Sequence, residues 1–319
     1  MSKTLNIDNL QKNVSLAAYT TFKIGGPARY FVIAKTKEEI YQAVKAAREA
    51  GVDFFILGGG SNLLVSDAGY DGLVIKNEYK DLKITGQIVR VGSGAILNYL
   101  IFQTVEQGLA GLENLVGIPG TIGGAVRGNA GAYGVETGRL VTTITATDGV
   151  AMRQFSQADC NFGYRTSLFK ETNWVALEIA LELSQSDPAV IRQKMQSTNQ
   201  ARQSKIPWQQ PSAGSVFKNL EIKDLDLKHL QAKLRLTDVE FSELTKYQKV
   251  AAGYLIDWLG LKGFSIGGAQ ISEQHSNFII NTGQATADDV IKLISFIKQR
   301  VRAKIGGIAL QEEIQYLGF

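Results

Sequence analysis

The chain has few of the residues on which much enzyme chemistry depends. Among its 319 residues there is one cysteine, Cys160, and there are two histidines, His229 and His275. A lone cysteine excludes an internal disulfide and any cysteine-based metal cluster, and it fits a reducing compartment. No histidine, cysteine and carboxylate group has metal-ligand spacing, so no metal is expected. The absence of a G-x-S-x-G elbow disfavours a serine hydrolase. An excess of one charge is lacking too. The 34 basic and 30 acidic side chains leave +4, too mild to point to nucleic acid or an anionic membrane. No apolar run approaches the roughly 18 residues a membrane helix needs. The start, MSKTLNIDNL, has no signal-peptide core. These absences lead us to expect a soluble cytoplasmic protein.

Glycine is what the chain has in excess. Its 33 glycines are about one residue in ten, against a usual ~7%. They sit in tight groups among apolar residues, which points to backbone turns shaped around a ligand. The apolar fraction of 45% supports an ordinary core, and the length allows two or three domains.

Periodicity predicts an α/β beginning. RYFVIA, residues 29–34, reads as a buried strand, and Thr36 to Glu39 has capping-box form. Ile40, Ala43, Val44 and Ala47 recur at helical spacing up to a C-cap glycine, Gly51, and a second strand follows at 53–57. Short strands are predicted at 72–76 and 82–91, with a turn at Thr85-Gly86, and a helix at 96–107. Strand character returns at 141–146 and 174–183. Asp187-Pro188 opens a helix to about residue 203, and two of the five prolines mark a boundary at 206–211. Residues 224–261 read as mostly helical and 277–280 as a strand. A second capping box at Thr286 opens a helix to about residue 304, and a strand is predicted at 309–317.

Five segments can carry chemistry. GGGSN, residues 58–62, follows a strand and can turn several amides toward one anion, or it is only a tight turn. Leu63 stands where G-x-G-x-x-G needs glycine, so the Rossmann fingerprint fails, and no Walker motif occurs. GLENLVGIPGTIGGAVRGNAGAYG, residues 111–134, is comfortable neither as helix nor as strand. It can pass close to a diphosphate or lie against a planar ring, or it is a buried crossover. In FGYRTSLF, Arg165 offers a planar fork to a carboxylate or phosphate, or it packs on Tyr164. In PSAGSVFKN, Ser215 follows a glycine without a histidine nearby, and Lys218 and Asn219 follow it. LQEEIQYLG places Glu312 and Glu313 on a predicted strand, where neighbours face opposite ways, one to solvent and one inward. His275 and His229 read as structural residues, or as solvated in the case of His229.

Together with YTTFKIGGPA, AAGYLIDWLGLKG and IGGAQISEQHSNFIIN, these segments run in one order along nearly the whole chain. In that order the chain resembles the UDP-N-acetylenolpyruvoylglucosamine reductase (MurB) family. The resemblance implies an α+β fold. A two-lobed FAD-binding domain of the vanillyl-alcohol-oxidase type is followed by a C-terminal α+β substrate-binding domain. Implied boundaries are 1–80 and 81–205 for the lobes, 206–306 for the substrate domain, and 307–319 for a strand returning to the FAD region. The short interval between FGYRTSLF and PSAGSVFKN matches the family's second subtype, which lacks an inserted loop with a substrate-binding tyrosine.

The implied activity is reduction of the enolpyruvyl ether of UDP-N-acetylglucosamine to UDP-N-acetylmuramate in peptidoglycan precursor synthesis. FAD is the cofactor and NADPH the hydride donor, in a monomer that acts on small molecules alone. Implied flavin contacts are Gly58, Gly59, Gly60, Ser61 and Asn62, then Ile118, Pro119, Gly120 and Thr121, with Gly123 and Gly124 nearby. The implied catalytic set is Arg165, Ser215 and Glu313, the last favoured over Glu312 by matching L-x-x-E-[VI]-x-[FYI]-[IL]-G. Lys205 and Asn219 match substrate diphosphate contacts. Two positions depart from the family pattern: Leu220 replaces the proline common after FKN, and Gln315 replaces an arginine. The competing readings are another FAD-dependent oxidoreductase of this fold class, acting on an alcohol or hydroxy acid, and a nucleotide-sugar-binding module without catalysis.

Overall fold

The computed structural model describes residues 5–319. The first four residues of the segment read above for a leader lie outside the described residues. The chain forms two compact units, each discontinuous in sequence. One comprises Pro27–Gly60 and Tyr70–Ser204 with the described residues up to Ser15; the other comprises Leu16–Gly26, Ser61–Gly69 and Lys205–Phe319. GGGSN is therefore a crossing point, with Gly60 in one unit and Ser61 in the other.

Among the described residues the first unit holds two main sheets and two two-stranded ones. In the smaller main sheet, the strand order is Gln11–Ser15, Pro27–Ala34, Tyr70–Asn77, Phe54–Leu57. The predicted strand–helix–strand is present, but Tyr70–Asn77 lies between its two strands and runs parallel to both. The connecting helix Lys37–Ala50 buries Ile40, Ala43, Val44 and Ala47, as its 3.6-residue period requires. Thr36 caps it by accepting from the Glu39 amide at 3.1 Å. Glu39 reaches back to the Lys35 amide, one residue before a standard capping box, at 2.6 Å. Gly51 ends the helix at φ +58°, the left-handed region.

The larger sheet is antiparallel: Met152–Ser156, Val141–Thr147, Val175–Glu182, Ile88–Gly92 and Leu82–Thr85. Its core is shared with the helices Leu97–Glu106 and Pro188–Gln203, which contribute Leu97, Leu100, Ile101, Ile191 and Met195. Cys160 is buried against this core, and burial pushes its thiol up to about 11, away from reactivity.

The glycine-rich segment departs from expectation by forming a short helix, Ile122–Arg127. Tertiary hydrogen bonds explain it. The Ile122 amide donates to Ala95 O and the Gly123 amide to Ser93 O, both at 2.9 Å. Thr121 caps the Gly124 amide at 3.3 Å. These bonds outweigh glycine's poor propensity, about 1 kcal/mol per residue.

In the second unit, the strands Ser212–Ser215, Phe278–Asn281, Ala269–Ile271 and Ser265–Ile266 form a sheet. The helix Ala287–Ile305 supplies Val290, Leu293, Ile294, Ile297 and Val301 to the core beneath it. The predicted helical stretch at 224–261 is divided into Leu227–Leu234, Asp238–Thr245 and Ala252–Trp258. The predicted final strand is shorter, Gln315–Leu317, and runs parallel to Leu63–Val65. Both histidines brace backbone: His229 Nε2 bonds Ile305 O at 2.8 Å, and His275 Nδ1 accepts from the Asn277 amide at 3.2 Å. Burial holds the His275 pKa below its ordinary value. No helix among the described residues is long and apolar enough to cross a membrane.

The long helix of this unit starts on a remote carboxylate. Thr286 and Asp289 form its predicted capping box. Asp67, from LGGGSNLLVSD, adds bonds from the Ala287 amide at 3.0 and 2.9 Å and from the Asp288 amide at 3.3 Å. A negative charge there also opposes the positive end of the helix dipole. Asp67→Ala should cost about 1–2 kcal/mol of local stability. Amide exchange in the first turn of Ala287–Ile305 should quicken accordingly, and unchanged protection would show that the helix does not depend on Asp67.

Candidate functional site

In the first unit two glycine turns meet. A Cβ on Gly59 would stand 2.6 Å from the Gly120 Cα, and one on Gly58 would stand 2.7 Å from Thr121 Oγ1. At Gly59 backbone lies against backbone, so glycine is required there by contact, while at Gly58 a side chain would meet the Thr121 hydroxyl. Gly60 and Gly120 also have positive φ, +63° and +113°. Ile118 is half-buried, its carbonyl accepting from Asn98 Nδ2 at 3.4 Å, and Pro119 is exposed. A cavity of about 620 Å³ opens beside these turns, with Gly58, Thr121, Gly123 and Gly124 in its wall. Asn77, Ser93, Arg127 and several aromatic side chains complete it. This mixture of bare backbone, polar groups and flat apolar surface fits a dinucleotide. Lys76 supports the site from behind, its ammonium donating to Gly58 O, and burial lowers its pKa.

Arg165 occupies the third position of a tight turn, closed by the Thr166 amide on Gly163 O at 3.2 Å. Its φ is +57°, where glycine is ordinarily found. The turn therefore accepts strain to keep a guanidinium in place. Nη1 donates to Gly131 O at 3.3 Å, and the group lies 5.5 Å from the Tyr164 ring. Asn129, buried in the NAGAYG stretch, holds both sides: its Nδ2 donates to Gly163 O and its Oδ1 accepts from the Gly138 amide, each at 2.9 Å. Arg202 lies near enough for the charge of Arg165 to add to burial in lowering its pKa. Arg202 also donates to Gly117 O at 3.4 Å. Motif reading passed over Lys76, Arg127, Asn129 and Arg202. Asn129 and Arg127 stood within a singled-out segment, but nothing local marked Arg127, Lys76 or Arg202 for a role.

The second unit brings Ser215 and Glu313 onto adjoining segments. The Glu313 amide donates to Val216 O at 2.7 Å, the Lys218 amide donates to Gln311 O at 2.9 Å, and Phe217 bridges Glu312. Gly214 stands at φ +77° within a register break between Ser212 and Ser215, which turns the strand just before the serine. The end of GGGSN joins them. Asn62 Nδ2 donates to Glu313 O at 3.1 Å, and a Cβ on Gly214 would lie 3.7 Å from Ser61 O. The two glutamates do not alternate as expected; both are half-buried, because residues 311–314 are not a regular strand. Glu312 is tied to Lys298 at 2.7 Å. Lys205 is exposed, and the exposed Asn219 accepts from the Ala252 amide at 3.3 Å.

Comparison with known proteins extends over the whole chain. Residues 28–150 match an FAD binding domain, and residues 206–317 match the C-terminal domain of UDP-N-acetylenolpyruvoylglucosamine reductase. The reductase of Solibacter usitatus is 36% identical over 315 residues, 98% of each chain. That of Anoxybacillus flavithermus is 38% identical, covering 98% of this chain and 96% of its own. The chain belongs to the UDP-N-acetylenolpyruvoylglucosamine reductase family. The crystal structure of the Thermus caldophilus MurB superposes with a TM-score of 0.76 at 31% identity, covering 97% of this chain and 99% of that one.

As a member of the MurB family, the chain is an FAD-dependent oxidoreductase with an α+β fold. Its two departures from the family pattern are locally accommodated. Leu220 pairs with Val250 and packs on the core, and Gln315 Nε2 donates to Glu313 O at 3.3 Å. The left-handed Arg165 leads to a separable prediction. Arg165→Gly and Arg165→Ala remove the same side-chain contacts, but only glycine relaxes at φ +57°. The glycine variant should be the more stable by about 1 kcal/mol in thermal or urea unfolding. Equal stabilities would remove the strain from the account.

Proposed function

We propose that Arg165, Ser215 and Glu313 carry out the reduction of the enolpyruvyl ether of UDP-N-acetylglucosamine to UDP-N-acetylmuramate. The observation that carries this reading is the pairing of the Ser215 and Glu313 segments, with the Glu313 amide on Val216 O at 2.7 Å. The cavity beside the glycine turns supports FAD as the group held by Gly58 to Asn62, by Ile118 to Thr121, and by Gly123 and Gly124. When bound, FAD would supply the redox chemistry of the reduction, with NADPH as the hydride donor.

The side chains then answer two demands. Hydride gained at C3 of the enolpyruvyl group leaves negative charge at C2 and its carboxylate, an enolate-like distribution. Arg165 is the fixed cation for that charge, which stabilises the transition state more than the ground state. A protonated Glu313 donates a hydrogen bond to the same oxygens. Ser215 gives its hydroxyl proton to C2. A serine is a weak acid, and the strong basicity of the carbanion drives the transfer, with Lys218 a candidate cation beside it. Lys205 and Asn219 are proposed diphosphate contacts of the substrate. We further propose that the lobes divide near residue 80, with the substrate domain from 206 and the chain end returning to the site. A monomer acting in the cytoplasm completes the reading.

Stopped-flow spectroscopy tests the assignment. In Ser215→Ala, NADPH should bleach the flavin at a near-normal rate. Reoxidation by the enolpyruvyl substrate should slow by about a hundredfold or more. Equal slowing of both half-reactions would remove Ser215 from the proton-donor role. NADPH oxidation independent of the UDP-linked enol ether would favour an oxidoreductase of different substrate.

A further inference from the structure

We infer that Arg127 is the cationic partner of the FAD diphosphate, and that the cavity beside it takes the adenosine-diphosphate half of the cofactor. The inference rests on the FAD reading above and adds a residue to which the motif carrying it had assigned no role.

Helix geometry places the side chain. Arg127 ends the helix Ile122–Arg127, four residues after Gly123 and three after Gly124. Side chains on a helix lean toward its N-terminus and cover the turn before them. That turn is made of the two glycines, which offer no side chain to compete. Gly123 is needed for packing, since a Cβ there would meet Ser93 O at 2.7 Å. Gly123, Gly124 and Arg127 all line the cavity of about 620 Å³, with Thr121 and Gly58 next to them. A guanidinium is thus set over a floor of bare backbone, within the first unit alone.

The chemistry of the walls selects the ligand. Arg127 is half-buried, and burial lowers its pKa while the charge of Glu171 opposes the shift. Arginine keeps its charge in such a place, so a counter-charge arriving at low dielectric is bound tightly. Glu171 already accepts from Thr166 Oγ1 at 2.6 Å. A diphosphate suits a guanidinium in this wall, with two charges and oxygens matched to its fork. The same cavity carries Phe54, Phe55 and Trp174, apolar faces suited to a flat base. Phe54–Leu57 is moreover the edge strand of its sheet, which leaves one side of its backbone available to a base.

The test uses apoprotein of the full chain. Binding of FAD, of ADP by competition, and of riboflavin is measured for wild type, Arg127→Gln, Arg127→Lys and Glu171→Gln. Arg127→Gln should weaken FAD and ADP about tenfold or more, with riboflavin unchanged and the salt dependence of FAD binding reduced. Arg127→Lys should recover part of the loss, and Glu171→Gln should not weaken FAD. The midpoint potential of bound FAD should stay the same in Arg127→Gln. Unchanged ADP binding, a parallel loss of riboflavin, or a shifted potential would overturn the inference. A wild-type protein that takes up no FAD would overturn the cofactor reading with it, whereas a failure confined to the variants touches Arg127 alone.

Discussion

The first unit depends on a contact between two turns with no room for side chains. Gly59 meets Gly120 so closely that a single Cβ would stand 2.6 Å from the opposing Cα. That approach fixes the distance between the smaller sheet, which delivers Gly58 and Gly59 at the end of Phe54–Leu57, and the short helix that follows Gly120. The cavity beside these turns exists because both turns are bare. Lys76 secures one turn through Gly58 O, and Ser93 and Ala95 secure the other through the Gly123 and Ile122 amides.

Polar groups elsewhere serve mainly to hold backbone for the site. Asn129 bonds Gly163 O and the Gly138 amide, which keeps the strained Arg165 turn in place. Asn62 bonds Glu313 O, and Gln315 bonds the same oxygen. Asp67 anchors the helix that covers the second unit's sheet. A family motif such as LGGGSNLLVSD is thus two structures in one string. Its glycines shape a tight turn at the cavity of the first unit, while its asparagine and aspartate stabilise the second.

Much of this was legible along the chain. The helix Lys37–Ala50 was readable from four apolar positions, a threonine cap and Gly51, because helical period and capping are local properties. The proline at 188 and the capping box at Thr286 marked two more helices for the same reason. The short helix at Ile122–Arg127 was not legible, since its hydrogen bonds come from residues 93 and 95. Nor was the shortened last strand, whose preceding residues turn instead to pair with 216–218. Arg127 and Arg202 went unmarked along the chain, because burial is a property of what packs around a residue.

The chain's own order of residues determined the chemistry on offer: little histidine and cysteine, the proposed arginine, serine and glutamate instead, and glycine wherever a backbone had to come close. Family resemblance followed from that order, since motifs are linear. Tertiary structure alone decided which glycines touch and which charges are buried. It alone put the segments of Ser215 and Glu313, almost a hundred residues apart in sequence, side by side. Contacts of that range depend on how strands and loops stack in space, and no local pattern of residues specifies them.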